Sequence, residues 1–186
     1  MIAFAASLAI AQEGGKKTEP TQADPPKTAT PAVPAAEKWE KEISAMLAKD
    51  EKSPPPKEGI VFTGSSSVRL WDLEKSFPGL PVVNRGFGGS RFHDVTKYAP
   101  KSVTPLKPKL VNFYLGDNAL KSNKTPEKTA ADFAEFCKVV HQDLPKTPIW
   151  FIAIKPCPSR WSLFEKQKQA NELIRKQCEQ DSERLL

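Results

Sequence analysis

Apolar positions along the chain follow two kinds of pattern. Residues 60–63, 80–84, 110–115 and 149–154 are short, continuous apolar runs, several ending in glycine, and continuous rather than alternating runs suit strands buried on both faces of a parallel sheet. Elsewhere the spacing is helical. Trp39, Ile43, Met46 and Leu47 share one stripe over residues 37–50, before Pro54-Pro55-Pro56 stops any continuation. Thr125-Pro126 reads as an N-cap with proline in the first turn, and Phe133, Phe136, Cys137, Val140 and Leu144 then line one face. A last helix is predicted over residues 159–181, with Leu163, Ala170, Leu173, Ile174 and Cys178 on or near one face. Strands alternating with helices predict an α/β domain, a three-layer α/β/α sandwich with a parallel, flavodoxin-like sheet.

The first third of the chain has a different character. Residues 1–11 are apolar and end in Ala9-Ile10-Ala11, a small-x-small site of the kind signal peptidase cuts, but no Lys or Arg precedes them. They read as a signal peptide whose beginning is missing or whose start is misplaced, which implies export to the periplasm or the outside of the cell. Residues 12–36 lack periodicity and aromatics and are rich in Pro, Ala and Thr, the composition of a disordered linker. Residues 37–58 form the amphipathic helix and a Pro-rich connector, expected on the outside of the domain, and residues 59–186 form the domain itself.

Composition narrows the function classes. With 186 residues the chain suits one domain, and no apolar run reaches the ~20 residues of a membrane-spanning helix. Residues 12–58 carry eight Lys against nine Asp and Glu, net −1, so the remainder of the +6 formal charge falls on residues 59–186 as net +7. Those lysines are scattered among acids without a nucleic-acid-binding motif, so a solvated surface is expected rather than a nucleic-acid partner. Three cysteines fit neither a disulfide framework nor a zinc pattern, and no cofactor or metal is called for.

The chemistry lies in the text at three strand ends: Gly64-Ser65-Ser66-Ser67, then Asn84-Arg85-Gly86-Phe87-Gly88-Gly89-Ser90, then Gly116-Asp117-Asn118-Ala119. In parallel sheets, sites gather at the carboxyl ends of the strands. A serine at a strand-to-helix turn exposes its hydroxyl there, glycines let a backbone N–H approach a developing oxyanion, and an asparagine amide adds a neutral donor. Any one of these is commonly a plain cap or turn; the weight lies in all three occurring in order.

These blocks resemble the SGNH (GDSL-type) hydrolases, over residues 59–186. The resemblance places the nucleophile at Ser66 and the oxyanion donors at Gly89 and Asn118. It implies a serine esterase or acylhydrolase in which Ser66 attacks the carbonyl of a small-molecule or glycan ester, such as an acetylated sugar or a lipid ester. Its own N–H, that of Gly89 and the Asn118 amide would receive the oxyanion. Ser65 and Ala119 stand where the family has aspartates, at positions that support loops rather than react.

The family's base histidine, in an Asp-x-x-His block near the C-terminus, has no counterpart after Ile154. Arg184-Leu185-Leu186 resembles the opening of a fifth strand, so the chain is expected to be a fragment that lacks its last strand and that block, and to be nearly inactive. His93 and His141 fall in the wrong part of the chain for the base. Cys137 and Cys178 are expected as buried thiols, Cys157 as part of a loop, Trp71 and Trp161 as packing residues, and Arg85 and Arg91 as surface arginines. The rival reading is a non-catalytic SGNH-like module that holds a glycan or a partner in the same cleft. Phosphate-loop anion binding at residues 64–67 is disfavoured, since no Gly-Lys-Ser/Thr follows.

Overall fold

A computed structural model describes residues 35–186, with side chains from Trp39 onward. The readings for residues 1–11 and for most of 12–36 lie outside the described residues. The chain runs through helix α1 (Ala35–Lys52), strand β1 (Ile60–Gly64), the one-turn helices α2 (Ser66–Arg69) and α3 (Leu73–Ser76), β2 (Val82–Gly86) and α4 (Phe92–Ser102). It continues through β3 (Leu110–Tyr114), α5 (Asp117–Lys121), α6 (Pro126–Asp143), β4 (Ile149–Phe151) and α7 (Phe164–Gln180), with single 3-10 segments before β3 and α7.

All four strands are parallel and lie in the order β2-β1-β3-β4. Beyond β4, Leu185 makes a parallel bridge to Ile149, with Ile149 N–H donating to the Arg184 carbonyl at 2.7 Å. Residues alternate between the faces of each strand. Val61, Val83, Val111, Phe113 and Ile149 join the main core with α1, α4, α6 and α7. Phe62 and Tyr114, with half-buried Ile60, Val82 and Ile152, pack with Val68 and Leu73 of α2 and α3. Because both faces are occupied by helices, the strands read as unbroken apolar runs. Phe113 is the hub of the larger core, its ring centroid 4.3 Å from that of Phe136 and 5.4 Å from that of Phe92.

Helix α1 lies on the outside of the domain as expected, with Trp39 and Ile43 of its stripe buried in the main core against α4 and its other face exposed. The physical reason is its apolar stripe, which finds a matching face in Phe87 and Tyr98. The helix predicted from residue 159 begins only at Phe164, because Pro158 opens a six-residue 3-10 segment with a kink at Arg160.

The faces of α6 and α7 are as expected, with Phe133, Phe136, Cys137, Val140, Ala170, Ile174 and Cys178 buried. Burial pushes the Cys137 and Cys178 thiols up from their ordinary range, away from the reactive thiolate. Half-buried Cys157 sits by the Ser159 hydroxyl at 3.5 Å. A disulfide-exchange reagent at pH 8 is expected to titrate one thiol quickly, at Cys157, with the other two reacting only on unfolding. Fast reaction of Cys137 in the folded protein would contradict this packing.

Candidate functional site

The strand order reverses between β1 and β3: the chain leaves β1 for β2 on one side and returns to β3 on the other. In open α/β sheets a crevice opens at the carboxyl ends of the strands where this happens. Ser66, Gly89 and Asn118 follow β1, β2 and β3, the three adjacent strands around that point.

Hydrogen bonds tie the three loops together. The Gly64 carbonyl accepts from the Phe87 N–H at 3.1 Å and from the Ser90 hydroxyl at 3.2 Å, joining the first block to the second. Asn118 Nδ2 donates to the Ser90 carbonyl at 3.2 Å, joining the second to the third. The Ser65 N–H donates to the Tyr114 carbonyl at 3.4 Å across β1 and β3. Ser66 begins α2 half-buried, and Gly89 is exposed with φ of 72°. Among the described residues, the Ser66 hydroxyl and the Gly89 N–H have no hydrogen-bond partner. Asn118 keeps the second hydrogen of its amide free of protein acceptors.

Close approach explains two of the glycines. Gly64 has φ of 144°, and a Cβ there would lie 2.0 Å from the Tyr114 carbonyl oxygen. At Gly86 a Cβ would lie 2.4 Å from the Arg69 backbone nitrogen, so α2 rests directly on the end of β2. Asn84 fastens the same contact, donating to the Val68 carbonyl at 2.7 Å and accepting from the Gly86 N–H at 3.0 Å.

Asp117, beside Asn118, is held from three sides. It accepts from the Tyr114 hydroxyl at 2.8 Å and from Gln167 Nε2 at 3.1 Å, and Arg160 Nη1 stands 3.7 Å away. Burial first, and then the hydrogen bond to Asp117, push the Tyr114 hydroxyl well up, so it remains a protonated donor. Sequence reasoning passed over Asp117, although it lies inside the third block.

The other singled-out residues are placed as follows. Arg85 is buried rather than a surface group, because its guanidinium reaches Asp50 of α1 at 2.5 Å and donates to the Ser102 carbonyl at 3.0 Å; Arg91 is exposed. His93 is exposed and sits 3.0 Å from Asp94, while His141 contacts the Thr147 carbonyl at 3.0 Å. Trp71 packs on Phe62 and Phe77 as expected. Trp161 does not pack in the core: it is 63% exposed and stacked on Phe164, since the 3-10 segment carries it outward. A cleft of about 420 Å³ is lined by Ser67, Trp71, Tyr114, Ile152 and Lys155, without Ser66, Gly89 or Asn118. Among the described residues no three His, Cys, Asp or Glu side chains are grouped to hold a metal ion, and no helix is long and apolar enough to cross a membrane.

No protein-family model and no curated protein matches the sequence. Solved structures do match its shape. A GDSL-like lipase from Bacteroides thetaiotaomicron superposes with a TM-score of 0.65 at 16% identity, over 77% of this chain and 76% of that one. A member of the lipolytic G-D-S-L family from Veillonella parvula gives 0.57 at 12% identity, over 68% and 75%. A catalytic mutant of an acetylxylan esterase from Geobacillus stearothermophilus gives 0.54 at 11% identity, over 70% and 76%. The chain has the fold of the GDSL-type hydrolases.

Proposed function

We propose that the site is that of a serine esterase of the SGNH type, acting on a carboxylic ester such as an acetylated sugar or a lipid ester. Ser66 is the nucleophile, and the N–H groups of Ser66 and Gly89 with the Asn118 amide receive the charge that develops on the carbonyl oxygen. The observation that carries this reading is the hydrogen-bond chain from Gly64 through Ser90 to Asn118, which links the three blocks at adjacent strand ends.

Neither of the two histidines of the chain is suited to be the base. His93 is exposed on α4 and His141 lies on α6 against the Thr147 carbonyl, and neither is hydrogen-bonded to Ser66. A serine hydrolase without its base retains about 10³- to 10⁴-fold acceleration over water, supplied by the oxyanion donors and by binding. The 186-residue chain is therefore expected to hydrolyse p-nitrophenyl acetate at that residual level. Imidazole added as an external base is expected to raise the rate and to leave an acetyl group on Ser66, detected by peptide mass spectrometry. A rate equal to buffer, or acetylation confined to lysines, would favour the non-catalytic binding module. Turnover without imidazole in the ordinary range of roughly 1–10³ s⁻¹ would overturn the missing-base reading.

A further inference from the structure

Helix α1 precedes all three sequence blocks, yet it grips the second of them at two separate points. Near its start, Trp39 meets Phe87 edge to face, with ring centroids 5.5 Å apart. Phe87 also meets Tyr98, at 6.0 Å and 89°, and the Tyr98 hydroxyl donates back to Glu40 of α1 at 3.0 Å. Near the end of α1, Asp50 binds Arg85, a buried guanidinium whose other contacts are the Ser102 carbonyl and, at 3.4 Å, the Asn84 carbonyl. Arg85 and Phe87 flank Gly86, where β2 gives way to the turn that carries Gly89.

The turn itself supplies little of its own rigidity. Gly88 and Gly89 are adjacent, Gly89 is exposed at positive φ, and glycine has the widest backbone freedom of any residue. What holds the turn on the inner side is the bond from the Phe87 N–H to Gly64 and the pair of bonds made by the Ser90 hydroxyl. Phe87 itself rests against Trp39. An oxyanion donor gains its effect from being fixed in place before charge develops, and small displacements are costly.

We propose that α1 is a strut for the oxyanion site, with Trp39 and Asp50 as positioning residues that set the place of the Gly89 N–H. The inference rests on the role proposed above for Gly89. Trp39 and Asp50 touch no reacting atom; they act through Phe87 and Arg85 on the Gly86–Ser90 turn.

The test uses the 186-residue chain and its residual hydrolysis of p-nitrophenyl acetate without imidazole, a rate that reports the oxyanion donors rather than the serine. Trp39→Leu is expected to lower kcat about tenfold with KM changed less than twofold, and Trp39→Phe to restore most of it. Asp50→Asn is expected to act in the same direction and serves if Trp39→Leu does not fold, with Asp50→Glu as its conservative partner. In parallel, amide hydrogen exchange at Gly86 and Phe87, whose N–H groups bond to Asn84 and Gly64, is expected to speed up at least tenfold in either variant, while β3 amides keep their protection. Folded variants with unchanged kcat and unchanged exchange at Gly86 and Phe87 would overturn the strut. So would exchange that rises equally in β3, since that is general destabilisation. If the parent chain shows no catalysis above buffer, the esterase reading fails, and the exchange measurement alone decides whether α1 governs the turn.

Discussion

The Asn118→Ala substitution is expected to cut residual ester hydrolysis by the 186-residue chain about 10²- to 10³-fold, whereas Ser66→Ala is expected to change it little. The asymmetry follows from how triad members act. Nucleophile and base work as a unit, so once the base is lacking, removal of the nucleophile costs almost nothing more, and water attacks in its place. On the function proposed above, the oxyanion donors still stabilise the tetrahedral state, and loss of one is felt in full. With imidazole supplied, the order changes: Ser66→Ala is expected to abolish the imidazole-stimulated part of the rate and the acetyl adduct. Asn118 has a structural duty too, since its amide holds the Ser90 carbonyl. Melting temperature measured alongside the rate on Asn118→Ala separates the two effects, the lost Ser90 bond appearing as instability and the lost oxyanion donor as a lower rate of the folded protein. Equal rates for the parent chain and Asn118→Ala would remove Asn118 from the site.

The Gly64→Ala substitution is expected to be the most damaging single methyl in the first block. Two costs coincide there. A φ of 144° is strained for any residue with a side chain, and the added Cβ would sit 2.0 Å from the Tyr114 carbonyl oxygen and 3.1 Å from a Val68 methyl. Neither neighbour can step aside cheaply, because Tyr114 belongs to β3, paired with β1 in the sheet, and Val68 is the buried anchor of α2. A loss of about 4 kcal/mol is expected, a melting temperature lower by roughly 10 °C for a domain of this size. Gly79→Ala is the control. Gly79 also has positive φ, at 79°, but a Cβ there meets nothing within 4 Å, so only the backbone cost, about 1 kcal/mol, remains. Similar melting temperatures for the two variants would mean that the close packing of β1 on β3 has been misjudged.

The sheet was legible because parallel strands covered on both faces leave an unmistakable trace, four apolar runs with glycine or polar text after them. The blocks at the strand ends were legible for the same reason, since glycines and polar residues stand out after such runs. Helix α4 was not read, although Phe92, Val95, Tyr98, Ala99 and Ser102 are buried along it at helical spacing. Its Pro100 and its charged residues hid that stripe, since a proline cannot donate to the carbonyl four residues back and so reads as a break. The roles of Arg85 and Asp50 were beyond reach, since their pairing spans 35 residues and nothing local marks a guanidinium that will be buried. Trp161 was misread for the opposite reason. An aromatic beside an apolar helix invites a packing assignment, and only the 3-10 segment before α7 shows that it is carried outward.

The way Asn84 holds α2 has a consequence for the order in which the chain folds. A helix of four residues is far too short to persist alone, and α2 owes its place to an amide that arrives 16 residues later in the chain. Ser66 can be set in its turn only after β2 has docked beside β1 and closed that loop. In refolding, Ser66 should stay mobile while the central strands are already protected, and this corner should be among the last parts of the domain to acquire its native shape.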